Sequence, residues 1–556
     1  MTRKPAMENR MSNGHTSLPQ SSPVLIVGAG PTGLSLVVEL ARRNIECLLI
    51  GRRPEPLPFD RATVIHSRSL EIFESMGVID AFLERGHLMR GFNIFAYGQI
   101  VAQTDFNGLE CRHPYDLNLS ENETEEILTE RLVALGGAVA RGWELSSLEQ
   151  SESHVTAQLR STNGTEQTVT ADWLVGTDGI HSRVRESCEI DVDGHRYLRR
   201  WGVIDGHLKD WQHASDRAAI QIEAPALNPI PLPRARWRIY FRADDDIDNA
   251  ALLEQINAGL NALSPGSRLH EPDEPMLYHT YRQLSAHYQS GRVLLAGDAA
   301  HACSPIEGHG MNMGIHDSFN LGWKLALVIQ GTADAKLLES YEQERRPAAA
   351  AVGASGDTAE ALRSIPNDPA AIERVKRALC ALLYTSRGKL QAAQAESELE
   401  LHYRDSPLVS GYHSAGDAAR QHWLGPLPGD CTPDAGPLLK SGSAEAIQLS
   451  QLICNEGHSL LWMATDQTEV PDFEKFHHIL QACGEFWIIS TAPPPEFLPE
   501  SSLQECWLHD VEGKVHARFG VIDASLFLIR PDGHIAFRSE PPELARVASY
   551  FENLFN

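Results

Sequence analysis

Long apolar runs, signal-peptide character and paired cysteines are all missing from this sequence of 556 residues. No uninterrupted apolar run approaches the roughly 20 residues that a membrane-spanning helix needs. Residues 1–22 are polar, so we expect a disordered leader rather than a signal peptide. The nine cysteines are dispersed without a C-x-x-C pair, which favours reduced thiols and no metal over a disulfide framework or a zinc site. These absences predict a soluble, cytoplasmic protein.

Basic residues are scarce: 48 Lys and Arg stand against 74 Asp and Glu, a formal net charge of −26. Such a surface repels nucleic acid and anionic membranes, so we expect neither as a partner. The content of hydrophobic residues, 42%, is ordinary for a globular protein. The chain is too long for one hydrophobic core, which predicts two or three domains.

A glycine-rich loop follows the first apolar segment. Residues 24–27 have the pattern of a buried strand, residues 34–43 that of an amphipathic helix, and residues 47–50 that of a second strand. Between them lies Gly28-Ala-Gly-Pro-Thr-Gly33, which matches G-x-G-x-x-G. The first glycine permits a tight turn, the second lets a pyrophosphate approach the backbone, and the third lets helix and strand pack closely. Gly28, Gly30, Pro31, Thr32 and Gly33 are therefore predicted to bind a dinucleotide at the helix N-terminus.

The acidic residue that usually binds the ribose is absent from its expected place after the second strand. Gly51 stands there, followed by Arg52 and Arg53. Three interpretations remain open: Arg52 holds the ribose, the backbone does so, or the adenosine end binds loosely. We include Arg52 and Arg53 among the candidate cofactor residues.

Two further motifs occur at wide spacing. Asp178-Gly179 follows a predicted strand at residues 171–175, and Gly297-Asp298 follows an apolar strand-like run at residues 293–296. A strand that ends in Gly-Asp places a carboxylate at the carboxyl edge of the sheet, where α/β sheets bind ligands. The alternatives are an Asx turn for Asp178 and a helix N-cap for Asp298. Behind the second motif lies Ser304-Pro-Ile-Glu-Gly-His-Gly-Met-Asn-Met-Gly314, a glycine turn that enters a helix.

In these three ordered motifs the chain resembles the group A, single-component FAD-dependent aromatic hydroxylases of the p-hydroxybenzoate and phenol hydroxylase type. It is most similar to the three-domain hydroxylases of phenols and aromatic polyketides, strongly over residues 23–400. The resemblance implies that FAD, NADPH or NADH, and O₂ are used, and that a flavin C4a-hydroperoxide delivers one oxygen atom to an aromatic, phenolic or polyketide-like substrate. Baeyer–Villiger oxidation, epoxidation and a flavin-binding protein without catalysis remain alternatives.

The same resemblance implies roles for individual residues. Asp298 would accept hydrogen bonds from the ribityl chain, and Asp178 would serve both FAD and the nicotinamide. Backbone N–H groups near Met311 and Asn312 would face the N1–C2=O edge of the flavin, and Arg61 would reach the cofactor. The remaining cofactor candidates implied by the motifs are Glu121, Gly297, Pro305, Gly308 and Gly310.

The chain departs from the family at positions expected to face the flavin. Glu121 stands where glutamine is usual, and Glu307-Gly-His-Gly310 stands where Gly-Gly-Gln-Gly is usual. Glu307 and His309 are titratable, and our hypothesis is that one of them acts as an acid or base beside the flavin. The alternative is that both side chains point to solvent.

The predicted fold class is α/β with a Rossmann-like FAD-binding domain at residues 23–198 and 289–405. An antiparallel sheet inserted at residues 199–288 would bind the substrate. Residues 420–556 would form a thioredoxin-like α/β domain that is redox-inactive, with a role that is either structural or the formation of a homodimer.

Alternation on the inserted strands puts Arg238 with Tyr240, and His279 with Tyr281, on shared faces. Arg238 and Tyr240 are therefore catalytic candidates, against the alternative that the tyrosines belong to an aromatic core.

Overall fold

The computed structural model describes most of the chain. The described residues are 17–56, 62–198, 200–223, 226–243, 247–305, 308–363, 368–416, 420, 423–440, 445–453, 456–465, 483–493 and 505–555. They belong to two compact units. The first unit comprises Met1–Leu109, His113–Gly322 and Arg345–Glu398, and the second comprises Glu110–Arg112, Trp323–Glu344 and Leu399–Asn556.

The elements up to residue 396 contribute mainly to the first unit. Its strands are β1 Ser21–Val27, β2 Cys47–Gly51, β3 Val64–Ile65, β4 His87–Met89, β5 Phe92–Ala96, β6 Gln99–Gln103, β7 Asp116–Asn118, β8 Val139–Arg141, β9 Trp143–Gln150, β10 Val155–Ser161, β11 Glu166–Gly176, β12 Val192–Arg196, β13 Arg200–Lys209, β14 Ala218–Gln221, β15 Asn228–Pro231, β16 Trp237–Ala243, β17 Arg268–His270, β18 Met276–Tyr278, β19 Tyr281–Ser285, β20 Gln289–Ser290, β21 Val293–Leu295 and β22 His301–Ala302. The helices in this stretch are α1 Pro31–Ala41, α2 Ser67–Ser75, α3 Ile79–Arg85, α4 Glu121–Ala134, α5 Arg183–Ser187, α6 Asn249–Leu263, α7 His309–Ile329, α8 Glu339–Arg363, α9 Pro369–Leu383 and α10 Ser386–Glu396.

A parallel sheet in the order β21-β11-β1-β2-β8 forms the centre of the first unit. Its middle strand β1 carries a continuous apolar run, and Val24, Leu25 and Ile26 are fully buried. Continuous apolar strands are typical of parallel sheets covered on both faces. The carboxyl ends of these parallel strands meet at one edge, and the residues that follow them there are the motif residues described below.

An antiparallel sheet in the order β15-β16-β13-β17, with β18 also paired to β13, forms the inserted region. Trp237, Ile239 and Phe241 pack in a core with helix α6. The alternate residues Arg238 and Tyr240 of β16 face away from this core, and both reach Thr63. These strands are therefore antiparallel, and Arg238 and Tyr240 share one face of β16, whereas the substrate-binding role of this region stays a prediction.

The run at residues 277–281 differs from the sequence-based expectation. It is divided between β18, which ends at Tyr278, and β19, which begins at Tyr281. His279 lies in the break between these strands, so the strand alternation that would put His279 and Tyr281 on one face does not apply.

The second unit contains a mixed eight-stranded sheet in the order β23-β30-β29-β26-β27-β28-β24-β25. Its strands are β23 Ser410–His413, β24 Leu438–Lys440, β25 Ala446–Ile447, β26 Ser459–Ala464, β27 Glu485–Ser490, β28 Trp507–His509, β29 Ser525–Ile529 and β30 Ile535–Glu540, and its helices include α11 Lys514–Phe519 and α12 Leu544–Phe555. Strand β26 pairs in parallel with β27 and antiparallel with β29. Successive residues of this strand, such as Leu460 and Leu461, enter two separate hydrophobic cores.

A buried group of charges completes the second unit. Glu344 accepts hydrogen bonds from Arg530 at 2.6 and 2.9 Å and from Lys324 at 2.7 Å. Asp532 accepts from the Arg530 Nε at 3.0 Å and from the Trp323 indole at 3.1 Å. The charged side chains of Lys324, Glu344 and Arg530 are fully buried. Burial lowers the pKa of Lys324 to about 8 in spite of the neighbouring Glu344 carboxylate.

The fold is thus mixed α/β with several sheets, in agreement with the predicted class. None of the helices in the described parts of the chain is long and apolar enough to span a bilayer. None of the eight cysteines that lie within the described residues forms a disulfide. The second unit resumes at Leu399 and also takes in Trp323–Glu344. The predicted boundaries of three domains remain predictions.

Candidate functional site

One cavity of about 1310 Å³ in the first unit brings the three sequence motifs together. The predicted cofactor residues that line it are Gly28, Gly30, Pro31, Thr32, Arg52, Arg53, Glu121, Asp178, Asp298, Pro305, Gly308, Gly310 and Met311. The inserted sheet and its flanking residues line it as well, with Trp201, Asn228, Ile230, Tyr240, Met276, Leu277, Tyr278, His279, Thr280 and Tyr281. The cavity therefore has a glycine-rich wall at the edge of the parallel sheet and a second wall rich in aromatic and apolar side chains.

The positions of the first motif require glycine for different reasons. A Cβ on Gly33 would lie 1.9 Å from the Gly28 carbonyl oxygen, and a Cβ on Gly28 would lie 2.2 Å from the Thr177 oxygen. These two positions are glycine because the protein's own backbone leaves no room. Gly30 has extended backbone that any residue adopts, and the nearest atom to a Cβ there is Glu125 Oε1 at 3.9 Å. Since Gly30 lines the cavity, its missing side chain leaves space for a bound group, as a pyrophosphate requires.

The Gly297–Asp298 turn is held from behind by a buried carboxylate. Asp317 on α7 accepts hydrogen bonds from the Gly297 N–H at 2.9 Å, from His301 Nε2 at 2.7 Å and from Arg345 Nε at 2.7 Å. Burial alone would raise the pKa of Asp317, but the charges on His301 and Arg345 outweigh it and lower the pKa to about 2. The turn presents Asp298 to the cavity as an exposed carboxylate, which suits it to accept hydrogen bonds from a polyol chain.

Asp178 caps the helix that follows it and also lines the cavity, and the hydrogen bonds that it accepts come from residues 182–184, beyond the two-residue spacing of an Asx turn. Its carboxylate accepts from the Ser182 hydroxyl, from the Arg183 N–H at 2.7 Å and from the Val184 N–H at 3.2 Å. It thereby caps α5, and burial raises its pKa although these hydrogen bonds act in the opposite direction. The Asp178 side chain thus caps α5 and also forms part of the cavity wall.

The adenosine end of the site lacks the usual acidic residue but has carboxylates nearby. Gly51 is buried at the end of β2, where a Cβ would lie 3.0 Å from the Ala29 side chain, and Arg52 and Arg53 are exposed. Helix α4 supplies Glu121 and Glu125 to the cavity from its first turns. Glu125 was not among the predicted residues, because no motif singles it out.

Several predicted residues do not line the cavity. Gly33 and Gly297 act through the backbone contacts given above. The Asn312 side chain braces the glycine turn: it donates to the Val64 and Gly308 carbonyls at 2.9 Å each and accepts from the His66 N–H at 3.1 Å. Arg61 and Glu307 lie outside the described residues.

His309 has a different environment from either of the two that we considered. Its side chain is buried, so the expectation that it points to solvent is wrong. It also does not line the cavity, because its Nδ1 points to Glu398 Oε1 at 2.8 Å. The His66 ring lies 5.0 Å from the His309 ring, and its own Nδ1 lies 3.1 Å from Asp116 Oδ1. Burial alone would lower the pKa of His66, but the neighbouring Asp116 and Glu398 carboxylates raise it to about 10.

A hydrogen-bonded chain links the two catalytic candidates of the inserted sheet. Arg238 forms a bidentate pair with Asp205, in which both N···O distances are 2.8 Å, and donates from Nη1 to Thr63 Oγ1 at 2.7 Å. The Tyr240 hydroxyl lies 3.2 Å from the same Thr63 oxygen and lines the cavity, whereas Arg238 does not. Arg238 is thus a buried support for Tyr240. Thr63 lies far from both in sequence, and no local pattern indicates its role.

Replacing Gly30 and Gly33 by alanine should separate cofactor binding from folding. Gly30→Ala should leave the thermal midpoint of the FAD-free protein within about 1 °C of the wild type, since the backbone and the space permit a Cβ. It should weaken FAD binding at least about tenfold, measured by quenching of flavin fluorescence.

Gly33→Ala is the matched control, because its Cβ clashes with backbone. It should destabilise the FAD-free protein by about 3 kcal/mol. Equal FAD affinity in Gly30→Ala and wild type would contradict a pyrophosphate site at this loop.

Asp317→Asn should leave the buried Arg345 without its charge partner and destabilise the protein by about 3–5 kcal/mol. A carboxylate with a lowered pKa stabilises the folded state above its unfolded pKa of about 3.9, and this contribution is lost as pH falls toward the folded value near 2. The wild type should therefore lose about 2–3 kcal/mol of stability from this group between roughly pH 5 and pH 2. Thermal midpoints of both proteins across that range measure the difference, and parallel pH profiles would show that Asp317 is not the titrating group.

Comparison with known proteins agrees with this geometry. The model of the FAD binding domain family matches residues 21–355. Pentachlorophenol 4-monooxygenase of Sphingobium chlorophenolicum is 31% identical over 534 residues, covering 93% of this chain and 93% of that protein. 6-Methylpretetramide 4-monooxygenase of Streptomyces rimosus is 32% identical over 533 residues, covering 93% of this chain and 90% of that protein.

Among solved structures, the OxyS anhydrotetracycline hydroxylase from Streptomyces rimosus aligns with a TM-score of 0.70 at 27% identity, over 96% of this chain and 99% of that one. The glycine loop with room for a pyrophosphate, the exposed Asp298 and the family match together support FAD as the cofactor, with O₂ and a reduced nicotinamide as co-substrates. The chain belongs to the FAD binding domain family and is an FAD-dependent monooxygenase.

Proposed function

We propose that this enzyme hydroxylates an aromatic ring of phenolic or polyketide type, with NADPH or NADH as the electron donor. The observation that carries the proposal is the second wall of the cavity, which the inserted sheet and its flanking residues form opposite the cofactor residues. The two relatives that match nearly the whole chain are a monooxygenase of pentachlorophenol and one of 6-methylpretetramide, by their names. Monooxygenase relatives over 93% of the chain also argue against a flavin-binding protein without catalysis.

The size and chemistry of the cavity support a substrate with rings. Its volume of about 1310 Å³ exceeds the roughly 300–1,000 Å³ of a pocket for one drug-sized ligand, so it can hold a dinucleotide and a second molecule together. Met276, Leu277, Tyr278 and Tyr281 line the cavity and are partly exposed, so they offer apolar and aromatic surface to that molecule. Ring stacking and burial against such side chains favour an aromatic substrate over a small polar one.

The bound FAD would supply the redox chemistry, in which O₂ is reduced and one of its oxygen atoms is transferred to the substrate. The chain's own residues have the tasks of binding, orienting and excluding water. The loop Gly28–Thr32 and the N-terminus of α1 would hold the phosphates, and Asp298 would hold the ribityl chain. The apolar wall would keep water from the reacting atoms, which suppresses loss of the oxidant as hydrogen peroxide.

Tyr240 is the residue that we propose to orient the substrate's phenolic oxygen. Arginine is only a donor, so Thr63 Oγ1 accepts from Arg238 and keeps its own proton available for the Tyr240 oxygen. The Tyr240 side chain lines the cavity, where its hydroxyl can form a hydrogen bond with an oxygen of the substrate. A hydrogen bond supported by a buried guanidinium would favour the phenolate form, which is the more electron-rich ring.

The finer architecture belongs to the same proposal. We infer a Rossmann-like FAD-binding part with an inserted substrate sheet, and a thioredoxin-like C-terminal unit supported by the mixed pairing of β26 with β27 and β29. The absence of a C-x-x-C pair from the sequence argues against thiol redox chemistry there. The homodimer and the cytoplasmic location remain predictions.

The function is tested with the purified protein and a panel of phenols and linear aromatic polyketides. We expect a flavin absorption spectrum that bleaches on anaerobic addition of NADPH, faster with a bound phenol, and one ¹⁸O atom per product when ¹⁸O₂ is used. A hydroxylated ring supports the proposal, and an ester or lactone with ¹⁸O would favour the Baeyer–Villiger alternative. Hydrogen peroxide as the sole oxygen product across the panel would contradict a monooxygenase of aromatic rings.

Tyr240→Phe should lower kcat/KM for a phenolic substrate about 10–100-fold, since it removes one charge-supported hydrogen bond worth about 1.5–3 kcal/mol. NADPH use should become uncoupled from product formation in parallel. Thr63→Val should give part of the same loss, whereas Tyr281→Phe removes a cavity hydroxyl outside this chain of hydrogen bonds and should have the smaller effect. Equal losses in Tyr240→Phe and Tyr281→Phe would contradict the orienting role.

A further inference from the structure

A cluster of imidazoles and carboxylates lies behind the cavity wall formed by Gly308 and Gly310. It comprises His66, His309 and Glu398, whose side chains are all buried. One potential metal-ligand atom from each residue lies within 4.8 Å of the others. The catalytic scheme above uses none of these side chains, so their assembly needs a separate explanation.

Two atoms of this cluster are buried without a hydrogen-bond partner. They are His66 Nε2 and Glu398 Oε2, although His316 Nε2 approaches the latter to 3.2 Å as an ion-pair contact. A buried polar atom without a partner is costly and usually marks a place for a water molecule or an ion. A Cβ on Gly308 would lie 3.4 Å from His66 Nε2. Because residue 308 is glycine, no side chain occupies that position beside the imidazole nitrogen.

The orientation of His66 is that of a metal ligand. Its Nδ1 lies 3.1 Å from Asp116 Oδ1, a fully buried carboxylate on β7, which leaves Nε2 as the coordinating nitrogen. Histidines that ligate metals usually place their other ring nitrogen against such a carboxylate, which fixes the ring and strengthens the ligand.

The charges of the cluster also suit a cation. Asp116 and Glu398 bring two carboxylates into the interior, and buried charges need compensation. Either protonated imidazoles or a divalent ion bound by neutral imidazoles would balance them, and the metal content of the protein distinguishes the two. Arg68, from α2, is the nearest arginine in sequence, but its guanidinium is engaged with Glu71 at 2.8 Å.

We propose that His66, His309 and Glu398 form a binding site for one divalent first-row transition-metal ion, with Zn²⁺ as the probe. Two imidazoles and a carboxylate are a suitable donor set for such ions. Zn–N and Zn–O bonds of about 2.0–2.2 Å place tetrahedral ligand atoms roughly 3.4 Å apart. The present ligand atoms lie within 4.8 Å of one another, so small side-chain movements suffice for binding.

The metal's role is structural. It joins three distant segments: the residue between β3 and α2, the first residue of α7 and the turn after α10. Together they support the glycine turn that lines the cavity. No sequence pattern predicts this site, since the three ligands are far apart in the chain and the cysteines form no C-x-x-C pair. The inference is independent of the substrate and of the reaction proposed above.

The test uses the FAD-loaded full-length enzyme, stripped with a chelator and then dialysed with Zn²⁺. We expect about one zinc per protein by elemental analysis, and a higher thermal midpoint with zinc than without it. Zinc uptake should strengthen as pH rises, because the imidazoles must lose their protons to bind. Metal content is measured whether or not the enzyme turns over, so a failure of the proposed function leaves this test intact.

Variants locate the site. His309→Gln and Glu398→Gln should lose the zinc, and Asp116→Asn should weaken zinc binding about 10–100-fold without abolishing it. His113→Gln is the matched control, because both ring nitrogens of His113 already have partners, Tyr115 and Glu74, each at 3.1 Å. Wild-type enzyme that holds less than about a tenth of an equivalent of zinc and shows no thermal shift would overturn the proposal in favour of protonated imidazoles that balance the carboxylates. Equal zinc content in all variants would overturn it as well, since the metal would then lie elsewhere.

Discussion

The buried carboxylate of Asp317 is the interaction on which the geometry of the site depends. It is fully buried and binds a backbone N–H, an imidazole and a guanidinium at once. Through the first it fixes the Gly297–Asp298 turn, and through Arg345 it connects α7 to α8. Arg345 lies in the Glu344-Arg-Arg-Pro347 segment of α8. Its ion pair with Asp317 helps to hold the turn that presents the Asp298 carboxylate to the cavity.

Close packing around the Gly297–Asp298 turn leaves no room for side chains at the glycine positions there. A Cβ on Gly297 or on Gly314 would lie within 2.5 Å of the Thr32 hydroxyl oxygen. Thr32 belongs to the first glycine motif, and the Ser318 hydroxyl donates to its carbonyl at 2.8 Å. The three motifs are therefore parts of one packed unit, and a change in any of them is transmitted to the others by direct contact.

Local patterns in the sequence were sufficient for the parts of the site that short segments build. The glycine loop, the strand before Gly297 and the antiparallel sheet around Tyr240 all follow from spacing and alternation, and the structure has them. Sequence patterns could not predict partners that meet only through tertiary contacts. These pairs are Thr63 with Tyr240, Glu125 with Gly30, and Glu398 with His309. His309 shows the reason. Its position in the glycine-rich segment was evident, but the direction of its side chain depends on the Glu398 carboxylate, which lies in the turn after α10.

The charges buried in the second unit have a consequence for how the chain can be divided. Trp323, Lys324 and Glu344 come from the middle of the sequence, yet their partners Arg530 and Asp532 come from its last thirty or so residues. A chain that ended before Leu399 would keep Lys324 and Glu344 but would lack their partner Arg530. A fragment that began at Leu399 would keep Arg530 but would lack Glu344. Residues 399–556 therefore depend on residues 323–344 for these buried contacts. Chimaeras with related proteins should exchange the two segments together.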